Sequence, residues 1–377
     1  MTAAEREAWL CLAFMPHIGA ESFKHLLQQF GTAQRAWQAS ADEVAPILTR
    51  KTALAAWRER RSEAEQAAQA ALTWAQQDRC RLLLSCDTDF PTMLTEGITP
   101  PPVLFVRGRS ELLHHPAIAI VGSRHATPPA MRIAQQFAQA LAEQNIVVVS
   151  GMATGIDTAA HQGALQANGA TVAVWGTGIN RIYPASNQQL AYELAERSVI
   201  ISEFPLDTRP LAGNFPRRNR LIAALAQATL VVEAALESGS LITAHLAAEM
   251  GREVMAIPSS IDNPQSKGCH KLIKEGAKLV ECIEDIVQEC PLLLQKPRLS
   301  SYAINKATPT PPASPTTESS DCADTVLHAM GFAPIHPDSL AEQLHLPAAD
   351  VYAALLEWEL AGYITMMAGG RYQRVKS

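Results

Sequence analysis

The feature that most constrains the fold is one local plan repeated in three successive segments. Ala117-Ile-Ala-Ile-Val-Gly-Ser-Arg-His-Ala-Thr-Pro-Pro129 reads as a strand running into a glycine turn, after which Pro128 and Pro129 open a helix. Ile146-Val-Val-Val-Ser-Gly-Met-Ala-Thr-Gly-Ile-Asp-Thr-Ala-Ala-His161 repeats the plan with Gly151 and Gly155 in the turn, and Thr171-Val-Ala-Val-Trp-Gly-Thr-Gly178 repeats strand and turn again. Strands that are continuously apolar are buried on both faces, which is the mark of a parallel sheet covered by helices. Further strands are expected near 103–107, 198–202, 229–234 and 253–257, with helices between them. Residues 87–290 should therefore form an extended Rossmann-like, doubly wound parallel α/β sheet with right-handed crossovers. Its glycine turns all fall at the carboxyl edge, where such sheets bind ligands.

A second segment says what kind of ligand. Phe215-Pro-Arg-Arg-Asn-Arg220 opens onto the apolar run Leu221-Ile-Ala-Ala-Leu-Ala226, so Arg217, Arg218 and Arg220 crowd the start of a helix with Pro216 at its first position. A helix N-terminus carries partial positive charge, and cations are disfavoured there. Either this is a solvated basic turn, or an anion such as a phosphate chain compensates the arrangement. The turns at Gly122-Ser123-Arg124, Gly151 to Gly155 and Gly176-Thr-Gly178 let backbone amides approach such a ligand closely. No Gly-x-Gly-x-x-Gly with a following acidic residue is present, nor a Gly-x-x-x-x-Gly-Lys-Ser/Thr, so the nucleotide cofactors that those loops hold are not expected.

The formal net charge is −6, so any nucleic-acid contact must be a local basic groove on an acidic background. Seven cysteines without Cys-x-x-Cys spacing, and no N-terminal signal pattern, predict reduced thiols in the cytoplasm and no zinc site. The longest apolar stretch, Leu221 to Leu236, is broken by Gln227, Thr229 and Glu233 and is too short to span a bilayer.

Residues 1–80 carry a helical pattern with Pro16-His-Ile-Gly19 between two apolar helices, similar to a sterile-alpha-motif-like or helix-hairpin-helix domain. That region is either a structural bundle or a hairpin whose amides touch a phosphate. Residues 291–320, with Thr308-Pro-Thr-Pro-Pro-Ala-Ser-Pro, read as a flexible linker. Residues 321–377 read as a winged helix: helices at Val326–Met330, Ser339–Leu344 and Ala348–Ala361, then a hairpin turning at Gly369-Gly370. Its third helix holds Asp350, Glu357 and Glu359 with no Lys or Arg, which favours a protein contact over DNA and leaves Arg371, Arg374 and Lys376 of the wing for any phosphate.

Several motifs in order resemble the DNA-processing protein A (DprA, or Smf) family. They are Pro101-Pro-Val-Leu-Phe-Val-Arg-Gly108, Val121-Gly-Ser-Arg124, Ser150-Gly-Met-Ala-Thr-Gly-Ile-Asp-Thr-Ala-Ala-His161, Gly176-Thr-Gly178, Tyr183-Pro184, Ile201-Ser-Glu-Phe-Pro205, Phe215-Pro-Arg-Arg-Asn-Arg220, Ser238-Gly-Ser-Leu-Ile-Thr243 and Gly268-Cys-His270. The resemblance implies a non-enzymatic protein of natural transformation that binds single-stranded DNA, forms a homodimer and helps load the RecA recombinase. On that reading Gly122 and Ser123 grip one phosphate, Arg124, Arg217, Arg218, Asn219 and Arg220 hold its neighbours, Phe204 or Phe215 stacks on bases, and Gly151, Gly155, Gly239 and Ser240 complete the DNA-binding site. Lys267, with Lys271 and Lys274 on one helical face, is either a solvated face or a basic rim of the groove. For the dimer, the resemblance points to the end of the domain, and Leu272, Ile273, Leu279 and Val280 are the apolar residues there.

Two enzymatic alternatives are weaker. Asp157 and His161, four apart on a helix, are either an acid–base pair or a brace for the glycine loop. Glu233 and Glu249 near Glu237-Ser-Gly-Ser240 invite comparison with nucleoside-monophosphate phosphoribohydrolases, whose double glycine is missing here. No carboxylate cluster for metal ions stands out.

Overall fold

The computed structural model describes residues 1–167, 169–294, 336–344, 346–367 and 371–374. The chain divides into two compact units, residues 1–300 and 301–377.

The larger unit begins with six helices: α1 (Ala3–Phe14), α2 (Ala20–Phe30), α3 (Ala33–Gln38), α4 (Ala41–Val44), α5 (Lys51–Glu59) and α6 (Arg61–Trp74). Thr2 caps α1 through the Glu5 amide. The Glu5 carboxylate accepts from the Ala33 and Gln34 amides at 2.6 and 3.0 Å, so it caps α3 across the bundle. Strands then follow: β1 (Cys80–Leu84), β2 (Val103–Gly108), β3 (Ala117–Val121), β4 (Val147–Ser150), β5 (Thr171–Val174), β6 (Val199–Ser202), β7 (Ala228–Val231), β8 (Glu253–Ala256) and β9 (Lys278–Leu279). Between them lie α7 (Pro128–Glu143), α8 (Ile156–Gln166), α9 (Gln188–Arg197), α10 (Asn214–Leu225), α11 (Gly239–Glu249) and α12 (Lys267–Lys274), and α13 (Ile283–Glu289) follows β9.

The strands form one nine-stranded sheet in the order β1-β2-β6-β5-β4-β3-β7-β8-β9. From β6 to β9 every pairing is parallel, as the continuous apolar runs predict. β1 and β2 add an antiparallel extension; β2 is the strand expected near 103–107, whereas β1 falls in the gap between a helical region ending at 80 and a sheet domain beginning at 87. Cys80-Arg-Leu-Leu-Leu84 is a real strand, buried except at Arg81.

One sheet face packs α7 and α8 at the β3–β4 end and the N-terminal helices at the β1–β2 end, while the other packs α10, α11 and α12. The N-terminal helices share one core with the sheet. Trp9 Nε1 donates to Pro102 O at 2.9 Å and Arg6 donates to Leu82 O at 2.9 Å. After α13 a short turn, Pro291–Leu294, still buries Leu293 in the sheet domain's core, so the predicted linker begins inside the domain. The rest of that linker and the predicted helix Val326–Met330 lie outside the described residues.

The smaller unit shows helices Pro337–Leu344 and Ala348–Leu360 and a hairpin of β10 (Ile364–Met367) and β11 (Arg371–Arg374). Leu340, Val351, Leu355 and Ile364 form its core. Arg371 is exposed, and Lys376 lies outside the described residues.

Candidate nucleic-acid interface

The strand order reverses between β3 and β7: β4, β5 and β6 follow β3 to one side, β8 and β9 follow β7 to the other. Loops leaving the carboxyl ends of two strands that diverge this way open a crevice. Here that crevice is a cavity of about 700 Å³, framed by Gly122-Ser123-Arg124 after β3, Glu237 to Ser240 after β7, Ala153 and Asp157 after β4, and Phe215, Arg218 and Asn219 of α10. A smaller chamber of about 150 Å³ adjoins it, bounded by Gly151, Thr154, Gly176, Thr177, Tyr183 and Phe215. Both spaces share Arg124, Ala153, Tyr183, Phe215 and Arg218.

The loops are held by their own chemistry. Gly155 has φ +76°, and a Cβ there would lie 2.3 Å from Ser123 O, so the β4 loop can tuck under the β3 loop only with glycine. Asp157, buried at the start of α8, accepts from the Gly151 and Ala153 amides at 3.1 and 3.2 Å. Burial pushes its pKa up, opposed by the nearby Arg218 and these amide donors. His161 pairs instead with Thr171 Oγ1 at 2.7 Å, so the two residues are not an acid–base pair. The brace belongs to Asp157.

The clustered arginines separate by helix geometry. Residues 217 and 220 share a face while 218 sits a quarter-turn away. Arg218 is 4% exposed, donates to Gly151 O, Val174 O and Asn219 Oδ1, and floors both cavities. Burial pulls its pKa down to about 10, with Asp157 opposing the fall, so it stays charged at neutral pH. Arg217 and Arg220 point away from the strand-edge cavity. Both pair with the buried Glu203, Arg217 Nε at 3.1 Å from Oε1, and Arg220 also donates to Thr99 O. They line a groove of about 1130 Å³ against the N-terminal helices, with His17, Gly19 and Arg50. Their assignment to the phosphate pocket is therefore corrected. In this fold one carboxylate already serves both.

Arg124 is exposed, and among the described residues no carboxylate pairs with it. Its guanidinium lies 5.3 Å from the Phe215 ring centroid, and Tyr183 meets Phe215 at 5.6 Å. Ser123 is nearly buried: its amide donates to Glu233 O at 2.7 Å and its hydroxyl accepts from the His125 amide at 3.1 Å. That amide is not free for a phosphate, although the hydroxyl proton is.

Other sequence choices fall elsewhere. Phe204 is 3% exposed beneath Arg217 and cannot stack on a base. Lys267 is exposed on α12, bonded to Ile261 O and outside both cavity linings. Gly239 and Ser240 do line the larger cavity at the start of α11, where Ser238 caps the helix. Leu272 and Val280 are core residues, at 4% and 0% exposure, and cannot form an interface without unfolding the domain. Ile273 is half-buried and Leu279 is 40% exposed. Tyr183 was missed as a site residue, although Tyr183-Pro184 was among the recognisable motifs. Glu233 is buried and accepts from Thr127 N and Oγ1 at 2.9 and 2.7 Å, so it caps α7 rather than facing the cavity. Glu249 lines the groove on the other side. Among the described residues no group of three or more His, Cys, Asp or Glu is placed to hold a metal ion.

The family model for DNA recombination-mediator protein A matches residues 81–291. The chain belongs to the DprA family. Models for a DprA-like N-terminal HHH domain and a DprA winged helix domain match residues 3–68 and 309–370. Protein Smf of Escherichia coli K12 is 38% identical over 350 residues, 90% of both chains. DNA processing protein DprA of Streptococcus pneumoniae R6 is 44% identical over 203 residues, 54% of this chain and 72% of that one. The solved structure of DprA from Streptococcus pneumoniae superposes with a TM-score of 0.66 at 34% identity, covering 76% of this chain and 98% of that one. That of DNA processing protein A from Helicobacter pylori, a study of its single-stranded DNA binding mode, gives 0.51 at 30% identity, covering 57% and 96%.

Proposed function

We propose that this DprA-family protein binds single-stranded DNA in the strand-edge cavity, without catalysis, and delivers the strand to the RecA recombinase during natural transformation in the cytoplasm. One observation carries the reading: Arg124 stands exposed at the switch point with no carboxylate partner among the described residues, beside the half-exposed Phe215. A phosphate on Arg124 and a base on the aromatic pair are the two contacts that sequence-tolerant strand binding needs. No helix among the described residues is long and apolar enough to cross a membrane.

The reading predicts that oligonucleotide titration by fluorescence anisotropy gives tight binding to single strands and weak binding to duplexes, with no release of base from nucleoside monophosphates. Strand-independent nucleotide cleavage would overturn it. RecA delivery is tested by whether the protein speeds RecA filament formation on single strands. For the homodimer, Ile273 and Leu279 are the accessible apolar residues at the domain's end, and Ile273→Glu with Leu279→Glu should give monomers by sedimentation through an unpaired charge in an apolar contact. An intact dimer would move the interface elsewhere.

A further inference from the structure

We propose that the groove against the N-terminal helices is a docking site for a short peptide of a partner protein, one that carries acidic residues beside a bulky apolar side chain. α10 turns Arg218 to the strand-edge cavity and Arg217 and Arg220 to this groove, so the two sites are separate. The groove has a side branch. A space of about 350 Å³, bounded by Phe23, Lys24, Leu27 and Pro100, shares Ala20 and Thr99 with the 1130 Å³ groove, and the two form one channel along α2.

The walls set the chemistry of the occupant. Half-buried Leu27 and Pro100 make the smaller space apolar, with room for one large side chain as an anchor, and Ile47, Ile98 and Met250 continue the apolar surface into the groove. Arg50 on the groove and Lys24 on the side branch are exposed, and among the described residues no carboxylate pairs with either. Arg217 and Arg220 add one further positive charge between them, since they share Glu203. α2 and α5 both start at the groove, at Gly19 and Arg50, without a side-chain cap, so their first-turn amides add donors for a carboxylate. Two glutamates decide between peptide and nucleic acid: Glu21, which accepts from Thr99 Oγ1, and Glu249. A nucleic-acid strand carries a charge on every nucleotide and would set some against these two, whereas a peptide places carboxylates only where the cations stand. Among the described residues of these walls the one Phe, Tyr or Trp side chain, Phe23, is 3% exposed and offers no face for a base.

The test selects random dodecapeptides displayed on phage against the full-length protein, then titrates the enriched peptides, fluorescently labelled, in solution. Enriched sequences should combine acidic residues with a large apolar one. Their affinity should fall at least about tenfold in Arg50→Glu, which sets like charges together, and in Ala20→Trp, which fills the junction of the two spaces. Circular dichroism checks that each variant is folded, and Lys24→Glu on the exposed rim replaces Ala20→Trp should that variant unfold. Oligo-dT should not displace the peptides. Enriched peptides without acidic residues, affinities that survive both variants, or a selection that enriches nothing would each overturn the proposal. Displacement by oligo-dT would place the peptides in the strand-edge cavity and overturn it as well. Failure of oligo-dT to bind at all would count against the single-strand reading and leave the peptide site standing.

Discussion

Arg217 and Arg218 are adjacent in sequence and belong to different regions of the molecule. Arg218 is buried under the strand-edge cavity, held by two backbone carbonyls beside Asp157. Arg217, half exposed, faces the groove against the N-terminal helices and shares the buried Glu203 with Arg220. The difference shows that a run of cations does not make one anion site. Charge left unpaired at the surface is available to a ligand; charge already matched to a carboxylate or to backbone is structural. By that criterion Arg124 is the arginine proposed to bind, Arg218 shapes the floor, and Arg217 with Arg220 ties α10 to the loop after β6 and, through Thr99, to the β1–β2 connection.

The largest effect that could break this contrast is on stability. Arg218→Ala should destabilise the protein by about 3–5 kcal/mol, because it strips the donors from Gly151 O and Val174 O and leaves the buried Asp157 without its neighbouring charge. Arg217→Ala should cost at most about 1 kcal/mol, since the exposed side chain leaves Glu203 still paired to Arg220. Urea titration checks both, and equal losses would erase the distinction.

A pH series sharpens the inner side. Burial, with Arg218 nearby, pulls the pKa of His161 down to about 3, and among the described residues its Nε2 has no partner. The folded state then resists a proton that the unfolded chain accepts, so this contribution is complete above pH 6.5 and is lost as pH falls toward 3. Asp157, pushed up by burial, acts in the opposite sense over its own range. His161→Gln should flatten the stability profile between pH 6.5 and 4 by up to about 1.4 kcal/mol per pH unit, the value for one proton. An unchanged slope would mean that His161 takes up its proton in the folded state as readily as in the unfolded one.

How much of this could be read in the sequence depended on distance along the chain. The strand–glycine–helix turns are local patterns, and they located the sheet edge and the residues Gly122 to Arg124 directly. Helical spacing even groups Arg217 with Arg220 apart from Arg218. Which face looks at the cavity depends on Glu203, fourteen positions away on another loop, and on Thr99 from the β1–β2 connection. Phe204 misled for a similar reason, since Phe-Pro after a strand looks the same whether the ring is buried or free. Leu272 and Val280 belong to the buried sides of α12 and the β9 edge, which an apolar run alone does not distinguish from a docking face. β1 was hidden because its pairing with β2 is antiparallel and its burial leaves only Arg81 exposed.

The smallest expected effect concerns the other unit. Its helix Ala348–Leu360 carries Asp350, Glu357 and Glu359 without a basic residue. Deleting residues 300–377 should therefore leave single-strand affinity within about threefold and the salt slope unchanged, each lost phosphate contact being worth about 0.7 in that slope. A loss above tenfold with a shallower slope would give the wing a direct DNA role.

Arg124, exposed and without a carboxylate partner among the described residues, is the arginine proposed to bind the strand, and the paired Arg217 and Arg220 are proposed not to. The most direct test of this assignment is the single-strand affinity of folded Arg124→Ala and Arg217→Ala measured side by side. Losing a charge-assisted phosphate contact should cost Arg124→Ala about 1.5–3 kcal/mol, roughly 10- to 150-fold, while Arg217→Ala stays within about threefold. The reverse order, with Arg124→Ala unchanged and Arg217→Ala crippled, would place the strand in the groove against the N-terminal helices and contradict the account.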